Sequence, residues 1–156
     1  MASPNAPFLS NGTVSIINPQ YCASSQMDLA VARKVKILSF GNFFVIDIND
    51  NIIFKVEGAF LSFHARRVLL DPAGNPIVTL QNKKMSAHHR WEAYRGDGTD
   101  SSNLLFSAKR PSMFQFKREL DVFLARNTEQ NVCDFKVKGS WLKRSCVIYA
   151  GESSPL

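Results

Sequence analysis

The chain has 156 residues, 45% of them hydrophobic, with a formal net charge of +6 at pH 7 and a pI near 9.4. That suffices for one domain with a real core and excludes a disordered chain. The basic balance favours a polyanionic partner or surface, a statement about association rather than fold. Cys22, Cys133 and Cys146 are odd in number and form no C-x-x-C pair. This argues against a zinc ribbon or disulfide scaffold and for a reducing compartment. The start, Met-Ala-Ser-Pro-Asn-Ala-Pro, lacks the parts of a secretory signal, and Ala2 removes N-myristoylation. No run of about 18 apolar residues occurs, and the C-terminus is not a prenylation box. The expected location is intracellular: cytoplasmic or peripheral at the plasma membrane, with the nucleus open, rather than secreted.

Twelve of the aromatic residues are Phe, which favours sheet, because aromatics suit a pleated, half-buried surface. Residues 1–12 read as a loose arm, and 1–26 as a whole as an arm and lead-in segment. From Leu29 to Lys36, Val31, Val35 and Ile37 favour a strand over the helix that Leu-Ala-Val-Ala also allows. Phe43 to Asp47 and Ile52 to Val56 then flank Asn49-Asp50-Asn51, and Val68 to Asp71 and Ile77 to Leu80 flank Pro72-Ala73-Gly74-Asn75-Pro76. Both are strand–turn–strand units, because these turn residues supply the dihedrals a hairpin needs. The units align: Asp47 matches Asp71, Asn51 matches Asn75 and Ile53 matches Ile77.

Trp91 to Tyr94 is a further strand closed by the turn Arg95-Gly96-Asp97-Gly98, and Leu104 to Ala108 is the next. From Ser112 to Asn127 a helix face competes with two strands joined by Lys117-Arg118-Glu119; the strand-rich surroundings favour the hairpin. Phe135 and Val137 face one way and Lys136 and Lys138 the other, a period of two. A strand from Trp141 to Tyr149 carries Cys146, whose apolar neighbours predict a buried, inert thiol. So many strands in one domain predict a closed or strongly curved antiparallel sheet.

The residues assemble no catalytic constellation. His88 and His89 are adjacent, so on a strand they point to opposite faces and cannot share an ion. Asp47-Ile48-Asn49-Asp50-Asn51 opens like a calcium loop, but Ile52 stands where the loop needs Gly and Gly58 where it needs Glu. Asp97 and Asp100 lie in a Gly/Ser-rich loop that would hold a carboxylate pair poorly. Neither an enzyme, a metal nor a cofactor is expected.

The basic residues come in pairs, Arg66-Arg67, Lys83-Lys84, Lys109-Arg110, Lys117-Arg118 and Lys143-Arg144. If several share one rim, Arg supplies bidentate phosphate contacts and Lys point charges, each worth about 1 kcal/mol near an anionic bilayer. If they are scattered, they only solubilise.

Three segments carry a family resemblance. Leu70-Asp71-x-x-Gly74-Asn75-Pro76 comes first, then the run Lys83-Lys84-Met85-Ser86-Ala87-His88-His89-Arg90-Trp91-Glu92-Ala93-Tyr94-Arg95-Gly96, then Leu105-Phe106-Ser107-Ala108-Lys109-Arg110. With Phe135 to Gly139 and Arg144 to Tyr149, they make the chain from about Met27 to Tyr149 resemble the plant LURP-one-related family. The resemblance implies the fold of the tubby C-terminal domain and the phospholipid scramblases, an antiparallel barrel around a central apolar helix. It also implies a non-enzymatic protein that binds phosphoinositides, tethers to membranes and acts in plant defence, with a transcriptional role open. Neither a tubby lipid-binding motif nor the scramblase calcium segment is visible here. Family members continue past the Cys-x-Ile-Tyr strand into further strands and the apolar helix, so 27–156 reads as a C-terminally shortened domain.

The expected function is therefore binding of anionic phospholipid headgroups through Lys83, Lys84, Arg90, Arg95, Lys109 and Arg110. Trp91 is placed either at the membrane interface or in the core. Nucleic-acid binding with exposed aromatics for stacking is one alternative, though no recognition-helix or RNP pattern supports it. A protein-interaction module for an acidic partner is the other, and an exposed apolar patch would favour it.

Overall fold

The computed structural model describes residues 8–10, 13–33, 42–58, 65–83, 90–111, 118–140 and 145–151. Strands β1 (Phe8–Ser10) and β2 (Thr13–Ser15) pair only with each other. A short 3-10 helix at Pro19–Tyr21 follows, capped by Asn18, whose side-chain oxygen accepts from the Gln20 N–H at 3.1 Å. The segment read as a loose arm thus contains a strand, and Ile16, Ile17 and Tyr21 beyond it pack on the core.

Among the described residues, ten further strands form one sheet. They are β3 (Ala30–Arg33), β4 (Phe43–Ile46), β5 (Ile52–Gly58), β6 (Arg66–Leu70), β7 (Pro76–Lys83), β8 (Arg90–Arg95), β9 (Leu104–Lys109), β10 (Arg118–Leu124), β11 (Phe135–Ser140) and β12 (Ser145–Ala150). Each pairs antiparallel with its neighbours in sequence, giving a meander with β3 and β12 at its edges. The all-β class read from the sequence holds, and the described residues contain no α-helix.

The two aligned hairpins are the same device at atomic level. Asp47 Oδ1 accepts from the Asn49 and Asn51 N–H groups at 2.8 and 2.9 Å, and its Oδ2 accepts from Asn51 Nδ2 at 3.0 Å. Asp71 repeats this with Asn75, taking the backbone N–H and Nδ2 each at 2.8 Å. Both turns need one left-handed residue, Asp50 at φ +61° in the first and Gly74 at +97° in the second. Asn51 side-chain and backbone donors hold the Asp47 carboxyl below its ordinary range, and Asn75 does the same for Asp71.

Two sequence expectations are corrected here. Arg118 and Glu119 lie inside β10, so Lys117-Arg118-Glu119 is no turn at those positions. Long-range pairing decides it: β10 lies between β9 and β11, with Asp121 opposite both Lys109 and Lys136. Cys146 is exposed rather than buried, because β12 is an edge strand that also leaves Val147 and Ile148 open; the buried thiol is Cys133.

The register sorts side chains onto two faces, because directly opposed residues share a face. One face carries Phe54, Leu69, Val78, Leu80, Ala93 and Phe106. Val78 and Ala93 there belong with Ile77 and Leu105 to the buried cluster, and Ile16, Ile17 and Tyr21 close over it. Tyr21 meets Phe54 with ring centroids 5.8 Å apart. The opposite face carries Arg66, Gln81, Glu92, Ser107 and Phe123 in one cross-strand row.

Candidate functional site

The next row on that polar face is the unusual one. Lys83 stands directly opposite Arg90. Trp91 opposes Ala108, which sets Arg90 and Lys109 one position further along and on a common face. Lys109 opposes Asp121, Asp121 opposes Lys136, and Lys136 opposes Tyr149. Three cations thus lie side by side across β7, β8 and β9, an arrangement that costs stability in a sheet. Local breaks of this kind are where functional or strained sites are expected, which makes the row the candidate site.

Each cation is steadied by a different neighbour. Lys83 Nζ lies 3.0 Å from Glu92 Oε1. Glu92 is buried and also accepts a hydrogen bond from the Tyr94 hydroxyl on Oε2. Burial pushes the Glu92 carboxyl up, but Tyr94 and Lys83 together hold it below its ordinary value. Burial first, then the Glu92 carboxylate, pushes the Tyr94 hydroxyl up to about 12. Lys109 Nζ sits 4.5 Å above the ring of the buried Phe123, a cation–π contact. Lys136 Nζ is 3.4 Å from Asp121 Oδ1, and Lys138 Nζ lies 5.0 Å over Tyr149.

The loop between β10 and β11 reaches over the row. Its Gln130 Oε1 accepts from Arg90 Nη2 at 2.6 Å and from Lys109 Nζ at 3.4 Å. Gln130 has φ +52°, a left-handed conformation that costs a non-glycine residue of order 1 kcal/mol. Asn127 holds it there, accepting from the Gln130 N–H at 3.0 Å while its own Nδ2 donates to Val132 O and Asp134 Oδ2.

Of the six expected site residues, Lys83, Arg90 and Lys109 come together on this face. Arg95 does not: it opposes Val78 on the apolar face, where its guanidinium donates to the Ile17 carbonyl. Arg110 is exposed just past the end of β9, and Lys84 lies outside the described residues, as do His64, His88 and His89. Trp91 is half-buried and alternates away from Arg90 onto the apolar face, so it does not accompany the cations. The sequence reading missed Gln130 as a partner of the row, since a lone Gln in a polar loop carries no local signal of it. A separate cavity of about 430 Å³ lies between the Gln20–Ala23 segment and β5, lined by Tyr21, Met27, Leu29 and Phe54 and by no cation.

Fold and site together define an antiparallel β-meander domain with one apolar and one cation-bearing face. The chain belongs to the LURP-one-related family, whose model matches residues 27–155. It is 50% identical to LURP-one-related 15 of Arabidopsis thaliana over 90% of this chain and 65% of that protein. It is 49% identical to LURP-one-related 10 of the same plant, over 92% of this chain and 74% of the relative. An X-ray structure of an Arabidopsis thaliana protein superposes with a TM-score of 0.69 at 45% identity, covering 88% of this chain and 74% of that one. The chain thus spans about two thirds to three quarters of the length of these relatives. None of the helices among the described residues is long and apolar enough to cross a membrane.

Proposed function

We propose that this is a non-enzymatic binding domain that takes phosphorylated, anionic lipid headgroups on its polar face. The observation that carries this is the row Lys83–Arg90–Lys109, like charges held side by side across three strands. A multiply charged oxygen ligand relieves that repulsion, with the Arg90 guanidinium supplying paired donors and the lysines point charges. Glu92 and Tyr94 act as positioning groups, holding Lys83 from below.

Vesicle co-sedimentation tests the proposal, comparing neutral vesicles with vesicles containing a phosphoinositide at low and high salt. The expected result is pelleting with the anionic vesicles alone and release as salt shortens the screening length to a few ångströms. A folded protein that stays in the supernatant at low salt refutes it. One observation favours a second reading, a protein-interaction module: Val147 and Ile148 stand 52% and 65% exposed on the edge strand β12. Failure to bind vesicles would move that reading to first place.

A further inference from the structure

Gln130 stands where an anionic ligand's oxygen would stand. A single amide oxygen accepts from the guanidinium of Arg90 and the ammonium of Lys109, which belong to adjacent strands. The neutral amide oxygen thus occupies a place between two cationic donors where a charged acceptor would form the stronger bonds. The loop is built to deliver that oxygen. Asn127 fixes the Gln130 backbone, Asp134 Oδ2 accepts from both Asn127 Nδ2 and the Leu124 N–H, and Ala125 N donates to Leu105 O. Gln130 itself is held left-handed, a conformation that glycine adopts freely and glutamine does not. From below, the Phe123 ring fixes Lys109, so the two donors converge before any ligand arrives.

We propose that Gln130 is a built-in occupant of the anion site, whose neutral oxygen holds the Arg90–Lys109 gap until a phosphate oxygen displaces it. This deepens, and rests on, the headgroup-binding proposal above. The consequence is a threshold: a weak, singly charged acceptor does not repay the two bonds lost to Gln130, whereas a phosphomonoester does. Gln130 thereby sets both the affinity of the site and its preference for phosphate over carboxylate. Displacement also frees the loop tip over the polar face, while Asn127 and Asp134 keep its base in place.

The test uses the full chain and three forms: wild type, Gln130→Gly and Gln130→Glu. Glycine suits the left-handed backbone and removes the oxygen; glutamate puts a permanent carboxylate between the cations. Each form is titrated with phosphoinositide-containing vesicles and, separately, with a soluble inositol phosphate. The expected order is Gly tighter than wild type by several-fold, and Glu weaker by roughly tenfold or more, as a charged internal competitor dictates. Binding of both probes assigns the recognition to phosphate alone, and binding of vesicles only assigns it to the lipid surface; the order of the three forms supports the proposal in either case. A second readout needs no variant: the Gln130 side-chain amide resonance of the wild type should shift on titration. If all three forms bind alike and that resonance stays still, while Arg90→Gln weakens binding, Gln130 is no occupant although the site is real. If no form binds either probe, the headgroup proposal falls, and this one with it.

Discussion

The two faces of β7, β8 and β9 are built from the same three strands and both bury side chains, Val78 and Ala93 on one and Thr79, Glu92, Tyr94 and Ser107 on the other, yet only the second lines up cations. On the apolar face Val78 and Ala93 are buried under Ile16, Ile17 and Tyr21, and the cation present, Arg95, is tied to a backbone carbonyl of that covering segment. On the polar face Lys83, Arg90 and Lys109 stand in a row, Lys83 steadied by Glu92, Arg90 by Gln130, and Lys109 by Phe123 and Gln130. Burial gains free energy wherever apolar area leaves water, so the first face explains itself. Like charges side by side gain none, so on the second face the cation row, unlike the buried Thr79 and Tyr94 beside it, is not accounted for by burial. A basic residue therefore means different things a single position apart on one strand.

The comparison can be broken most violently from the apolar side. Ala93 is fully buried, so Ala93→Asp places an unpaired carboxylate in the core. The expected loss is about 4 kcal/mol or more in urea unfolding. A loss within about 0.5 kcal/mol, the size of an ordinary surface substitution, would show that this face is not what holds the fold.

A medium effect sharpens the polar side. The Tyr94 hydroxyl, raised to about 12 from an ordinary 10.0, is protonated in the folded state over a range where the unfolded chain ionises. Its contribution is intact below pH 10 and is lost as pH rises towards 12, a fall of about 2 kcal/mol by linkage. In Tyr94→Phe that alkaline loss should vanish, as denaturant midpoints between those limits would report. An unchanged slope would mean that burial and Glu92 do not hold the Tyr94 hydroxyl protonated.

The smallest effects belong to the hairpin turns, which lie outside both faces. Asp47 and Asp71 have lowered carboxyl values, so their contribution is present above the ordinary value of 3.8 and is lost as pH falls below it. Asp47→Ala and Asp71→Ala should each lower the thermal midpoint slightly at neutral pH and flatten the acid limb of the stability curve. A melting profile from pH 5 down to about 2 checks this, and an acid limb as steep as that of wild type would contradict it.

Local chemistry was legible in the sequence where it is complete within a few residues. The Asn, Asp, Gly and Pro residues between the apolar runs predicted the two hairpins, and the aligned Asp47 and Asp71 make matching bonds. The family was legible from the order of motifs between Leu70 and Tyr149, and the matched span begins at residue 27 as read. What depends on register was not legible. Lys83 and Arg95 read alike as basic residues, but which face each takes depends on where its strand starts and what it pairs with. Cys146 looked buried among Val147, Ile148 and Tyr149, because no local signal says that their strand lies at the edge. Glu119 looked like a turn residue until pairing with Lys138 drew it into β10. Gln130 carried no signal at all, since a lone Gln in a polar loop is ordinary until its loop folds over a distant pair of cations.

The most direct test sets the two faces against each other in one binding experiment. Arg90→Gln and Lys109→Gln remove cations from the polar row, and Arg95→Gln removes one from the apolar face of the same strand. Binding of phosphoinositide vesicles at low salt should weaken about fivefold for each of the first two, from about 1 kcal/mol per basic residue, and stay within twofold for Arg95→Gln. Equal weakening by all three would mean that net charge rather than the row attracts the membrane, and the division of labour between the faces would be wrong.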